Sequence, residues 1–131
     1  MLTQEAAALR QNSPARPTVR AEAEKVQAQI RTVLDRFAQA YGAESETALT
    51  AVWPSGAQAF RNEFRTFESL SWVFGACGID VADATATATC PVTIKRVDSR
   101  SRREVSETGR RQFILRNQAG NWRIDTMMQL K

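Results

Sequence analysis

The hydrophobic period of this chain changes once, near Ser69, and no other feature constrains the fold as much. Before it, apolar side chains recur about every 3.6 residues; after it they alternate. Val26, Ile30, Val33, Phe37 and Tyr41 follow at steps of four, three, four and four, which is one face of an α-helix. Leu34 and Ala40 widen the stripe, and Glu24, Arg31, Asp35 and Gln39 lie opposite. Thr18 is a suitable N-cap. Gly42 stands just past the last periodic residue, where a left-handed C-cap costs glycine least. A second helix fits Glu46 to Trp53, stopped by Pro54. A third is expected through Phe60, Phe64 and Phe67, with Arg61, Glu63 and Arg65 turned to water.

Beyond Ser69 the spacing predicts four strands. The first runs from Trp72 to Val81, interrupted by Gly75 and Gly78, since glycine inside a strand marks a bend or bulge. Ala82-Asp83 makes the turn. Ala84, Ala86, Ala88, Cys90, Val92 and Ile94 then alternate with Thr85, Thr87, Thr89 and Thr93. Pro91 has no ladder donor, so it needs an edge, a bulge or an unbonded side. A polar loop follows from Asp98 to Arg103, and Glu104 to Asn117 is the third strand. Gln118-Ala119-Gly120-Asn121 forms a hairpin loop. In the last strand Trp122, Ile124, Thr126, Met128 and Leu130 share one side. Helices before a four-stranded antiparallel meander give an α+β fold with the helices on one sheet face. Residues 18–131 are read as one domain and 1–17, broken by Pro14 and Pro17, as a flexible tail or linker. A chain of 131 residues closes one core of ordinary size.

Composition removes several chemistries. There is no histidine, so His general acid–base work, His-activated nucleophiles and His metal ligands are all excluded. Two cysteines cannot build a four-Cys zinc site. No metal or cofactor is implied. The longest stretch free of polar side chains, Trp72 to Ile79, is far below the roughly 20 residues that span a bilayer. The first twenty residues hold Gln4, Glu5, Arg10, Gln11 and Arg16 and no apolar segment, so no export signal is read there. The compartment stays open; it is extracytoplasmic if the chain is a fragment of a longer exported or membrane-anchored protein. The net charge of +4 is concentrated between Lys95 and Arg111, where seven basic groups face Asp98, Glu104 and Glu107. A weak nucleic-acid surface is one reading of that segment. It carries no aromatic to stack on bases and is diluted by three acids, so a solvated face is preferred.

Val81-Ala82-Asp83-Ala84-Thr85-Ala86 resembles a hairpin turn of the nuclear transport factor two-like superfamily, which includes SnoaL-like cyclases and ketosteroid-isomerase-like proteins. Gln112-Phe113-Ile114-Leu115-Arg116-Asn117-Gln118-Ala119-Gly120-Asn121-Trp122-Arg123-Ile124 resembles its closing hairpin. The helix ending Phe37-Ala38-Gln39-Ala40-Tyr41 and the one ending Ala51-Val52-Trp53 also fit. The resemblance covers residues from about 20 to 131 and implies a cone, a strongly curved antiparallel four-stranded sheet wrapped around the long helix, with an apolar pocket at its open end. A narrower resemblance, through the spacing of Cys77 and Cys90, is to C-terminal modules of some bacterial serine/threonine kinase and repeat proteins. The family's catalytic signatures do not carry over: no acid follows Trp53 until Glu63, and Phe37 stands where the family's helix-one tyrosine is sought.

Candidate residues follow from these elements. Phe37, Tyr41, Trp53, Phe60, Phe64, Phe113 and Met128 are expected to line or to fill the cone. A ligand pocket would need convergent polar groups, with Tyr41 the best placed and Arg111 second. With Ala82-Asp83 as the turn, Cys77 faces Ala88 and lies diagonal to Cys90; a bulge would bring the two sulfurs together. Disulfide and free thiols both remain open. Asp80 and Asp83 are read as turn residues. Asp125 is read either as a partner of Arg116 or Arg123 or as a pocket base. The threonine row is a possible homodimer surface. Two functions emerge: a non-catalytic accessory module that binds a small apolar ligand or assembles, or a small isomerase-like or cyclase-like enzyme with a pocket carboxylate.

Overall fold

The computed structural model describes residues 15–130, with side chains from residue 20 onward. Helix α1 spans Ala15–Gly42, α2 Glu46–Val52 and α3 Arg61–Thr66, the last led in by a 3-10 turn at Ala57–Phe60. Five strands follow: β1 Phe67–Phe74, β2 Gly78–Ala82, β3 Thr85–Asp98, β4 Glu104–Gln118 and β5 Asn121–Leu130. The sheet is antiparallel in the order β1-β3-β4-β5, and β2 also pairs with β3. No described helix is long and apolar enough to cross a membrane.

The described part of α1 is helical from Ala15, three residues ahead of Thr18. Pro17 falls in its first turn, where a missing N–H breaks no intrahelical bond. The rest of the expected tail, residues 1–14, lies outside the described residues. The helix stops differently from expectation. Glu44 takes the left-handed conformation (φ 53°), not Gly42. Ser45 N–H donates to Ala40 O at 3.0 Å and Glu44 N–H to Tyr41 O at 3.1 Å, which is a Schellman closure. A Cβ at Gly42 would meet Leu70 O of β1 at 3.5 Å, an ordinary contact, so neither backbone angle nor space demands glycine there. Ser45 then caps α2, accepting from Ala48 N–H at 3.1 Å.

Phe67 is the first residue of β1 and not the end of a helix. The single strand expected from Trp72 to Val81 is two, which makes five strands. Phe74 pairs with Val92 and Gly78 with Thr89, so one side has an extra residue across the gap. Pro91 sits opposite that gap. Its carbonyl accepts from Gly75 N–H at 2.8 Å, and its missing N–H faces the bulge, where no ladder bond is lost.

Ile30, Val33, Leu34, Phe37, Ala40 and Tyr41 bury the stripe of α1 against Ala86, Ala88, Val92, Ile94, Phe113, Leu115 and Ile124 of the sheet. The helix touches β1 and β2 along one side of the sheet and β5 along the other. Four strands span about 14 Å at their usual spacing, wider than the roughly 10–12 Å of a helix with its side chains. One helix reaches both margins only if the sheet bends around it, so the architecture is a cone.

Candidate functional site

The inside of the cone is occupied by rings. Phe37 is fully buried and stands 4.8 Å from Trp72, 5.6 Å from Phe113, 5.9 Å from Phe60 and 6.0 Å from Trp53, centroid to centroid. Tyr41 lies 5.2 Å from Trp72 and 6.2 Å from Phe64. Most of these pairs meet edge-to-face or tilted, as the ring quadrupole favours. Phe37, Tyr41, Trp53, Phe60, Phe64 and Phe113 therefore come together as the sequence suggests, and they pack on one another. Trp72 and Phe74 complete the cluster.

Met128 does not join them; it is 57% exposed. The alternation of β5 slips by one residue. Leu115 pairs with Ile124 but Ile114 with Thr126, leaving Asp125 as a bulge. Trp122 and Ile124 face inward before it, and Met127 packs against the core after it. A one-residue slip exchanges the two faces, so Met128 turns to solvent. The bulge has a visible cause. The Asp125 carbonyl accepts from Trp53 Nε1 at 3.3 Å and from Ser55 Oγ at 3.4 Å, partners 72 and 70 residues upstream.

Along the rim of the cluster runs a chain of alternating charge. Tyr41 donates its hydroxyl hydrogen to Glu63. Arg96 Nε donates to the same carboxylate at 3.2 Å, and Arg96 Nη1 to Glu107 at 3.1 Å. Arg111 Nη2 donates to the other oxygen of Glu107 at 3.0 Å, and its guanidinium lies 5.9 Å from the Trp72 ring centre. Arg111 is 6% exposed. Burial first, and then the Glu63 carboxylate, push the Tyr41 phenol far above its usual range. Hydrogen bonds from Arg111 and then Arg96 hold the Glu107 carboxyl below the usual range. These contacts keep the Glu107 carboxylate charged and the Tyr41 phenol neutral.

Glu63 was expected in water and is not. It follows Phe60 by three residues and precedes Phe64 by one, so it borders the buried stripe of its helix; that spacing was the available signal. Asp125 stands apart from the cluster, half-exposed, with Arg116 Nε donating to it at 3.1 Å. Arg96 and Arg111 point into the rim, so the 95–111 segment forms no single basic face. Cys77 and Cys90 are joined as a disulfide, with Cα atoms 4.2 Å apart. The β2–β3 turn is Asp83-Ala84, with Asp83 at φ 56°, one residue later than expected. That shift alone sets Cys77 opposite Cys90 without a further bulge.

Solved structures give the architecture a name. A nuclear transport factor 2-like superfamily protein from Salmonella enterica matches with a TM-score of 0.76 at 15% identity, covering 82% of this chain and 92% of its own. A nuclear transport factor 2-like protein with a cystatin-like fold from Novosphingobium aromaticivorans matches at 0.73 and 16% identity, covering 88% and 87%. The fold is the nuclear transport factor 2-like cone. A hexachlorocyclohexane dehydrochlorinase from Novosphingobium barchaimii shares it, at a TM-score of 0.73, 10% identity and coverage of 84% and 88%. No family model matches the sequence, and no curated protein matches it. At these identities the likeness extends to the cone and not to its chemistry.

Proposed function

We propose that this cone is a non-catalytic accessory module that assembles through the outer face of its sheet, with a second copy of itself as occupant. The observation that carries the reading is the ring cluster. The space in which relatives of this fold could hold a substrate is taken by Phe37, Tyr41, Trp53, Phe60, Trp72 and Phe113, and Glu63 and Glu107 at its rim are committed to arginines. A general base needs a carboxylate free to take a proton near neutral pH. A small apolar ligand would have to displace those rings.

The outer face supports assembly. Thr87, Thr89 and Thr93 of β3 lie beside Ile114, Gln112 and Thr108 of β4, with Val73 and Met128 exposed at the flanks. Within this patch Asp80 pairs with Thr87 on one side of β3, and Arg110 with Pro91 on the other. The two charges are placed symmetrically about Thr89. A two-fold axis over Thr89 would set Asp80 of each copy over Arg110 of the other, the self-complementary arrangement of an isologous dimer.

Sedimentation velocity tests this. The wild type should sediment as a dimer, Asp80→Arg and Arg110→Asp as monomers, and the double exchange as a dimer again. A wild type that stays monomeric at every concentration ends the proposal.

A further inference from the structure

We infer that the cleft formed by α1, the end of α2 and the β4–β5 hairpin binds an anionic amphiphile, its oxyanion head on Arg36 and Arg123 and its apolar tail along the adjoining alanine-lined groove. The cleft has a volume of about 430 Å3 and is lined by Arg36, Arg123, Thr32, Asn121 and Trp122 among others, with no carboxylate. Among the described residues, neither Arg36 nor Arg123 has a carboxylate within ion-pair distance. In the ladder Arg123 lies directly opposite Arg116, so two cations face one another across the strands. The Asp125 carboxylate answers Arg116 at 3.1 Å, which leaves Arg123 as the guanidinium of the pair without a carboxylate.

Trp122 supplies the second observation. It is nine-tenths buried in the wall of this cleft, and its indole N–H is enclosed without an acceptor. A buried donor without a partner is costly. An oxyanion has several acceptor lone pairs, and the planar forks of two arginines are matched to it.

The tail assignment comes from the neighbouring groove, of about 350 Å3, lined by Ala40, Ala43, Ala48 and Val52. The two share Arg36, Ala51 and Val52 as a common wall. One bears cations and donors, the other four alanines and Val52 beside Arg36 and Gln39, and no acid lines either. Each is within the range of roughly 300–1,000 Å3 usual for small-molecule sites. A molecule with a charged head and a short apolar chain matches the pair; inorganic phosphate matches only the first. The site lies beside the hairpin tip and not among Asp80, Thr89 and Arg110, so it does not depend on the assembly reading.

Octanoate, its neutral analogue octanamide, and inorganic phosphate, each titrated calorimetrically into the full chain at low salt, test the site. The Trp122 indole N–H is followed by NMR. Octanoate should bind and shift that signal, and octanamide should not. Arg36→Gln and Arg123→Gln should each weaken octanoate by about tenfold or more, equivalent to about 1.4 kcal/mol, with the fold's melting temperature unchanged. Asp80→Arg should bind like the wild type. Equal binding of octanoate and octanamide, wild-type affinity in both arginine variants, or no response to octanoate would overturn the site. Phosphate binding as tightly as octanoate would overturn the tail.

Discussion

The Trp53 indole lies across Gly56, covering the position from which a side chain at that residue would leave the backbone. A Cβ there would collide with the Trp53 ring atoms Cε2, Nε1 and Cδ2, and the ring cannot retreat. It is packed on Phe37 and Phe60, and its N–H is bound to the carbonyl of the Asp125 bulge. We predict that Gly56→Ala destabilises the fold by about 1–3 kcal/mol, the usual cost of overpacking. Urea denaturation measures it, and a variant as stable as the wild type would mean the indole is free to move.

The Cys77–Cys90 link closes a loop with a sequence separation of 13 between adjacent strands. Opening such a loop is worth about 3 kcal/mol in the chain-entropy account. Cys77→Ala/Cys90→Ala should lower the melting temperature, and reductant should do the same to the wild type. Thiol titration of the unfolded wild type without reductant should find none; two titratable thiols would refute the bond.

Tyr41 gives the alkaline limb of stability its shape. Its pKa is raised in the fold from an ordinary value of 10.0, so its contribution is complete below pH 10. Above that the unfolded chain loses the phenol proton first, and stability declines as pH rises toward the folded-state value. The decline expected in the wild type between pH 10 and 11 should be shallower in Tyr41→Phe. Equal slopes in the two proteins would place Tyr41 outside the cluster.

The β5 bulge makes opposite predictions for adjacent residues. Met127 packs on the core while Met128 is exposed. Met127→Ala should cost about 1–2 kcal/mol, a partial version of a buried truncation. Met128→Ala should stay within about 0.5 kcal/mol, as surface changes do. The reverse order would mean that β5 keeps an unbroken alternation.

The amino-acid order alone determines the helical stripe from Val26 to Tyr41, the long alternating strand with its inward alanines, and the glycine-bearing hairpin at Ala119-Gly120. Each depends on periods of 3.6 or 2 and on local backbone freedom, which are written in neighbouring residues. Most of the ring cluster is legible for the same reason. What tertiary structure decided lies where distant groups compete with those periods. Trp53 and Ser55 claim the Asp125 carbonyl, and the bulge this leaves sends Met128 outward. A turn displaced by one residue, to Asp83-Ala84, moves Cys77 from Ala88 to Cys90. Arg96 draws Glu63 out of water to meet Tyr41. Hydrogen bonds and ion pairs between residues 22 to 72 positions apart have no periodic signature, so only the closed cone reveals them.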